Sequence, residues 1–249
     1  MKNAAKEVSV LSRSSNQVSV TEPVRGGRAT KGHKRVFGSV EAVFDGVYLL
    51  ASAVIGIFLL CAGASREAAL GGAMALLLAA GDAFHLLPRM CAILTGEEDH
   101  WARAMGVGKF VTSITMTGFY LLLWHLGLLI FAAGTGGWGR LTGLVYLLAG
   151  VRVALCFPPQ NRWLDRSQPV SWGIYRNVPF LLLGGLTAAL FAAHVGAVPA
   201  VDGMWVAIAL SFLFYLPVVL WAGRKPMIGM LMLPKTLMYL WMLIMCLYL

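Results

Sequence analysis

An acid, an imidazole and a guanidinium lie at spacings of three and four residues in the apolar segment GDAFHLLPR, at positions 81–89. Residues so spaced are neighbours on one face of a helix, so Asp82, His85 and Arg89 are predicted to lie together. Ionisable side chains inside a membrane segment are costly and mark candidate functional sites. A carboxylate beside an imidazole suits general acid–base catalysis, and a guanidinium binds phosphate or carboxylate. The segment therefore predicts a catalytic pair, Asp82 and His85, beside an anion-binding residue.

A purely structural role for Asp82 is the alternative interpretation. The carboxylate would then accept a hydrogen bond from Lys109 or Arg152 and hold the second, third and fourth membrane helices together. Charged groups within membrane helices commonly pair with one another in this way. The two interpretations differ in whether water and a ligand reach the carboxylate.

The elements that position these residues are predicted to be membrane helices. Of the 249 residues, 59% are hydrophobic and only 12% are charged, which is untypical of a soluble domain. A helix needs about 20 apolar residues to cross a bilayer, and the period-two alternation of a membrane barrel does not occur. The sequence predicts an all-α polytopic membrane protein with seven transmembrane helices, at positions 47–64, 68–87, 110–133, 141–157, 178–197, 204–222 and 227–249.

The distribution of lysine and arginine predicts a cytoplasmic N-terminus. Eight of the 20 basic residues precede position 46, and the loops after the second, fourth and sixth helices carry most of the others. The opposite loops carry only Arg66 and Arg140. Because cytoplasmic loops are enriched in these residues, we expect a protein of the cell (inner) membrane with its C-terminus outside. The net charge of +9 is then a topology signal, and no nucleic-acid partner is predicted.

The chain divides into two regions. Residues 1–44 are rich in Ser, Gly, Lys and Arg and have no periodic apolar face. Such a segment cannot bury enough apolar surface to fold, so it is predicted to be a basic, disordered cytoplasmic tail. Residues 45–249 are predicted to form the seven-helix domain.

Most of the other unusual polar residues fall in the half of the bundle predicted to face the cytoplasm. We expect a polar cavity there, in which arginine and lysine hold the anionic headgroup of an amphiphile. The predicted partner is thus a membrane lipid or a lipid-like anionic small molecule. Lys235 is alternatively expected to pair with Asp82 or to extend toward the membrane surface. The candidate binding residues are Arg89, Lys109, Ser113, Arg152, Gln160, Asn161, Arg176, Asn177 and Lys235.

Other kinds of site are poorly supported, and no cofactor or metal is predicted. Zinc would need about three protein ligands, and only His85 of the five histidines falls in the expected site. The G-x-S-x-G elbow of serine hydrolases does not occur. The four cysteines are isolated in sequence, which is untypical of a disulfide framework.

The segment Gly81-Asp82-Ala83 followed by Leu86-Leu87 resembles the second-helix signature of the lysoplasmalogenase family, and the stretch from Gly108 to Tyr120 is loosely similar to the helix that follows it. The resemblance implies a multi-spanning membrane hydrolase that cleaves the vinyl ether bond of lysoplasmalogens, with Asp82 as a catalytic intramembrane aspartate. The chain departs from the family's pattern in two ways. Phe212 follows Ser211 where the family has a second acid, and seven helices are predicted where the family has eight.

Vinyl ether hydrolysis calls for a second acidic or basic group beside the first. Asp45, at the start of the first predicted helix, is the other acid that we expect near the same cavity. The leading hypothesis is therefore a hydrolase of a lysophospholipid-like amphiphile, with Asp82, His85 and Asp45 as catalytic residues. The alternative is a non-enzymatic carrier or sensor that binds a small anionic amphiphile through the same cations.

Overall fold

The computed structural model describes residues 26–63, 65–165, 168–223 and 225–249, and contains no strand within these ranges. Seven helices in this part of the chain are long and apolar enough to cross a membrane, which confirms the predicted fold class. They are α1 (Gly26–Ala62), α2 (Arg66–Thr95), α3 (Glu98–Ile130), α4 (Gly137–Cys156), α5 (Val170–Ala192), α6 (Met204–Trp221) and α7 (Met232–Cys246). A 3-10 segment, Pro226–Leu231, leads into α7.

The helices form a closed bundle. Each packs against its neighbours in sequence, and α7 returns to pack against α1 and α2. The third helix also packs against α5, which places α3 toward the middle of the bundle. Its residues Phe119, Tyr120, Leu123 and Trp124 are completely buried. We call the end at which α2 joins α3, α4 joins α5 and α6 joins α7 the basic end, and the opposite end the far end.

Helices α1, α2, α3 and α5 extend further toward the basic end than hydropathy predicts. The first helix begins at Gly26, so positions 26–44 of the predicted tail are helical, while residues 1–25 lie outside the described residues. The second helix was expected to end near Pro88 but continues through it to Thr95. Proline removes one backbone hydrogen bond and kinks a helix without having to end it. Asp82 therefore lies about 20 Å from the end of α2, at about 1.5 Å per residue.

A close helix contact sets the position of the 81–89 segment. Gly108 of α3 lies against the backbone of Phe84 and His85, and a Cβ atom added there would collide with the Phe84 carbonyl oxygen. The connection between α2 and α3 is equally short. Gly96 ends α2 in the left-handed conformation, with φ of 76°, and its N–H donates to the Ala92 carbonyl. Helices α2 and α3 are thus packed as a tight hairpin.

Candidate functional site

The Asp82 carboxylate is held by a tyrosine. Tyr48 of α1 donates its hydroxyl hydrogen to Asp82 Oδ2 over 2.8 Å. Tyr48 is buried, whereas Asp82 is only partly buried. Among the described residues, Asp82 accepts no hydrogen bond from Lys109 or Arg152, and the bond that it does accept joins α2 to α1.

His85 does not pair with Asp82. It lies one turn further along α2, and its buried Nδ1 has no hydrogen-bond partner among the described residues. The charges that act on the imidazole come from the cations Arg89, Lys109 and Lys235. The predicted acid–base pair is therefore not formed in this structure.

The positive charge of Arg89 is already paired with a carboxylate. Its guanidinium forms an ion pair with Glu41 of α1, in which Nε and Nη2 both approach the same carboxylate oxygen. With this partner in place, Arg89 is poorly suited to hold a ligand phosphate. One turn along α1 from Glu41 lies Asp45, which is 5% exposed and whose Oδ2 is unpartnered in the part of the chain that the structure describes. Tyr48, three residues further along α1, bonds to Asp82, so both predicted acids lie at the α1–α2 interface.

Arg152 of α4 is the most deeply buried cation of the predicted set, at 3% exposed. Its Cζ lies 3.3 Å from the centre of the Phe180 ring. Its Nε donates to the Ser113 carbonyl over 3.4 Å, which is a long hydrogen bond. The buried Nη1 has no hydrogen-bond partner within the described ranges. Arg152 thus retains unused capacity to donate hydrogen bonds.

Lys235 of α7 is also buried. Its Nζ is 4.7 Å from the centre of the Tyr215 ring and 5.1 Å from that of Tyr239. Its charge interacts with those of Asp82 and Arg152, but among the described residues no ion pair within 4.0 Å includes it. Lys235 therefore does not form the close pair with Asp82 that was one prediction, and it does not extend to the surface, which was the other.

These residues form a group that we call the buried cation cluster, made up of Arg152, Lys235, Tyr120, Tyr215 and Tyr239. The Phe180 ring on which Arg152 stacks also contacts the rings of Tyr120 and Tyr215, with centroids 5.0 and 6.4 Å away. Tyr215 and Tyr239 in turn face the Lys235 ammonium. Two positive charges and three tyrosine side chains thus lie in one part of the bundle. This composition is suited to an anion that accepts several hydrogen bonds.

A second buried arginine, Arg176, is held by contacts with neighbouring side chains. Arg176 donates to Asn161 Oδ1, and its Cζ lies 4.0 Å from the centre of the Trp163 ring. The Asn161 amide nitrogen donates in turn to the carbonyls of Leu155, Cys156 and Pro158, at 2.8–3.2 Å. Arg176 and Asn161 are predicted ligand-binding residues, and in the structure their contacts hold the α4–α5 connection against the end of α4.

The remaining predicted binding residues lie outside the cluster or already have hydrogen-bond partners within the protein. Gln160 and Lys109 are exposed, and Lys109 borders a separate cavity of about 130 Å³ at the basic end. The Ser113 hydroxyl donates to the Lys109 carbonyl over 2.8 Å. Asn177 accepts a hydrogen bond from the Tyr215 hydroxyl over 3.1 Å, so it orients one of the phenols. Of the predicted binding residues, Arg152 and Lys235 therefore belong to the cluster, and Asn177 bonds to one of its phenols.

The sequence pattern did not identify the tyrosines. Tyr239 follows Lys235 by four residues, and Tyr215 follows Ser211 at the same spacing. The Tyr120 hydroxyl is 3.3 Å from Ser211 Oγ, which itself donates to the Ile208 carbonyl. From sequence alone, a tyrosine in a membrane helix is usually interpreted as an apolar or interfacial residue. The available signal was the repeated spacing of four between a polar residue and a tyrosine.

Comparison with known proteins gives no assignment, since no family model, no curated protein and no solved structure matches the chain significantly. The function has to be inferred from the side chains themselves.

Proposed function

We propose that this protein binds an amphiphile with an anionic headgroup, of the lysophospholipid kind, and that the buried cation cluster holds the headgroup between Arg152 and Lys235. The observation that carries the proposal is Arg152 Nη1, which is buried and unpartnered within the described residues. A buried donor without a partner costs about 1–3 kcal/mol, and more when it is charged. A ligand oxygen placed against Nη1 would remove this cost.

The contacts already made by the cluster support an anion as the ligand. Stacking on Phe180 stabilises the guanidinium by about 2 kcal/mol when it is desolvated, but it uses none of the N–H groups. Within the described ranges, neither Arg152 nor Lys235 has a carboxylate within 4.0 Å. A phosphate can accept a forked pair of hydrogen bonds from Arg152 and a further one from Lys235.

The location of the cluster supports an amphiphile rather than a free ion. All of its members lie on helices that are long and apolar enough to cross a membrane. A ligand that arrives through the lipid phase keeps its acyl chain there while its headgroup enters the bundle. We further propose that the basic end faces the cytoplasm in a cell inner membrane, because the basic loops lie at that end.

A binding experiment distinguishes recognition of the phosphate headgroup from recognition of the acyl chain. Purified protein in detergent is titrated with lysophosphatidylglycerol, with a monoacylglycerol of the same chain, and with glycerophosphate. We expect the lysolipid to bind most tightly, and Arg152→Gln to weaken it at least about tenfold, since charge-assisted hydrogen bonds contribute about 1.5–3 kcal/mol. Arg140→Gln, an exposed change at the far end, is the matched control.

Three results would contradict the proposal. Equal affinity for the monoacylglycerol would show that the phosphate is not recognised. Unchanged lysolipid affinity in Arg152→Gln would show that binding occurs elsewhere. If glycerophosphate binds as tightly as the lysolipid, the ligand is a soluble phosphate and not an amphiphile.

Hydrolysis of the bound amphiphile is the second candidate function, favoured by the meeting of Asp82 and Asp45 at the α1–α2 interface. In this proposal Asp82 delivers a proton to the β-carbon of a vinyl ether, and Asp45 removes a proton from the water that adds to the resulting oxocarbenium carbon. The hemiacetal then collapses to a fatty aldehyde and the free glycerol hydroxyl, so that one water is consumed for each ether cleaved. The lysoplasmalogenase resemblance supports the same chemistry.

Release of aldehyde tests the catalytic proposal. We expect aldehyde from a lysoplasmalogen and none from the saturated 1-O-alkyl analogue, which cannot be protonated at carbon. Asp82→Asn is expected to abolish turnover while lysolipid binding persists. Binding without any aldehyde from the wild-type protein would reject hydrolysis and leave the carrier or sensor function.

A further inference from the structure

We infer that Asn177 is a positioning residue for the ligand, an inference that rests on the proposed function. It acts through the phenol of Tyr215 on the ammonium group of Lys235. In the described part of the chain, the Asn177 amide donates to the Gly173 carbonyl of its own helix and accepts the Tyr215 hydroxyl hydrogen from α6. Its effect on a bound headgroup is therefore transmitted through the phenol.

Lys235 is held between two aromatic rings. Its Nζ lies 4.7 Å from the centre of the Tyr215 ring and 5.1 Å from that of Tyr239, and an aromatic face attracts a cation within about 6 Å. Tyr239 follows Lys235 by four residues, so this ring lies on the same face of α7. Tyr215 belongs to α6 and is the ring that fixes the ammonium relative to a second helix.

Helix α5 holds the Tyr215 side chain at two points. Asn177 Oδ1 accepts its hydroxyl hydrogen over 3.1 Å, and the Phe180 ring meets the phenol ring at 88°, with centres 6.4 Å apart. Asn177 and Phe180 are three residues apart and share one face of α5. Because Tyr215 is only half-buried, packing restricts its ring less than in the core, and the hydrogen bond contributes more to its orientation.

The same turn of α5 positions both cations of the cluster. Phe180 stacks directly on the Arg152 guanidinium, with Cζ 3.3 Å from the ring centre. Asn177 reaches Lys235 through Tyr215. Loss of the bond to Asn177 would let the phenol turn away from the ammonium and would leave Arg152 in place. We therefore expect Asn177 to influence headgroup binding through Lys235.

Lysophosphatidylglycerol titrations of the full-length protein in detergent test the inference. Tyr215→Phe keeps the ring and removes only the hydroxyl, and Asn177→Ala removes the acceptor on the other helix. We expect each change to weaken lysolipid binding about three- to tenfold, since one neutral hydrogen bond is lost. A monoacylglycerol of the same chain, which lacks the phosphate, should bind both variants with wild-type affinity. Tyr146→Phe, which removes a phenol hydroxyl bonded to His125, is the matched control and should leave both affinities unchanged.

Combined variants identify the path. Tyr215→Phe together with Asn177→Ala should bind the lysolipid no more weakly than either variant alone, because both changes break the same bond. In a Lys235→Met protein, Tyr215→Phe should have no further effect on lysolipid affinity, because the cation that the phenol positions is gone.

Unchanged lysolipid affinity in Tyr215→Phe, or an equal loss of affinity for the monoacylglycerol, would overturn the inference and leave the proposed function intact. Additive losses in the double variant, or an undiminished effect of Tyr215→Phe in the Lys235→Met protein, would have the same meaning. Absence of lysolipid binding to the wild-type protein would instead reject the proposed function.

Discussion

The guanidinium of Arg152 stacks on the ring of Phe180, with Cζ 3.3 Å from the ring centre, and keeps Nη1 unpartnered among the described residues. The face of an aromatic ring attracts a cation. A guanidinium stacked on that face directs its N–H groups outward in its own plane, so the ring accepts no hydrogen bond from them. The pair therefore positions a positive group without neutralising it. A side chain held in this way is stabilised in place and remains available to an anion.

Replacing the charge by an apolar group of similar volume should stabilise the ligand-free protein. We expect Arg152→Met to raise the thermal unfolding temperature in detergent, corresponding to about 1–4 kcal/mol, because burying an unpaired cation is costly. The same variant should lose lysolipid binding. A lower unfolding temperature than wild type would show that Arg152 is a structural residue and would contradict its assignment to a ligand.

The hydrogen bond from Tyr48 to Asp82 should contribute measurably to stability. Removing the hydroxyl with Tyr48→Phe is expected to lower the free energy of unfolding by about 1.5–3 kcal/mol, since the acceptor is a carboxylate. The control is Tyr146→Phe, which removes a hydroxyl bonded to His125 on an exposed part of α4 and should cost less than about 0.5 kcal/mol. Equal effects of the two changes would argue against a special role for the α1–α2 bond.

Two neighbouring residues in the α4–α5 connection should respond very differently to truncation. Asn161→Ala removes an amide whose two N–H hydrogens are shared among three carbonyls, and it also removes the partner of Arg176. We expect a loss of about 2–4 kcal/mol in the free energy of unfolding. Gln160→Ala, at the adjacent exposed position, should be close to neutral. Denaturant titration in detergent measures both, and similar losses would contradict the described network.

The proposed topology can be mapped with reporter fusions. Alkaline phosphatase is active only outside the cytoplasm, whereas green fluorescent protein matures inside it. With the basic end in the cytoplasm, a phosphatase joined after Leu249 should be active, and a phosphatase inserted at Gly96 should be inactive. Green fluorescent protein at the same two sites should give the opposite pattern. Activity of the phosphatase at Gly96 would reverse the proposed orientation.

Hydropathy was sufficient to predict the helices but not where they end. Seven apolar stretches gave seven helices because each had the length that a bilayer requires. The predicted limits of α2 and α3 were wrong because the polar residues between positions 88 and 109 are typical of a loop. All of them except Gly96 and Glu97 are helical in the structure, since α2 and α3 continue to pack against each other there through contacts such as that of Gly108.

The site was predicted in part, and the failures share one cause. The sequence identified Asp82, Arg152 and Lys235 because charges in apolar segments are conspicuous. It could not show that Glu41 already neutralises Arg89, or that Asn161 already satisfies Arg176. Which cation remains without a counter-charge depends on contacts between helices that are distant in sequence, and only the folded arrangement supplies those.

The two-residue turn between α2 and α3 has a practical consequence for imaging. At about 1.5 Å per residue, helices of 30 and 33 residues measure roughly 45–50 Å, against about 30 Å for the hydrocarbon of a bilayer. The hydrophilic turn at Gly96 and Glu97 therefore extends beyond the lipid at the end of a rigid helical hairpin. An antibody fragment raised against the end of this hairpin would add the mass and asymmetry that single-particle microscopy requires for so small a membrane protein.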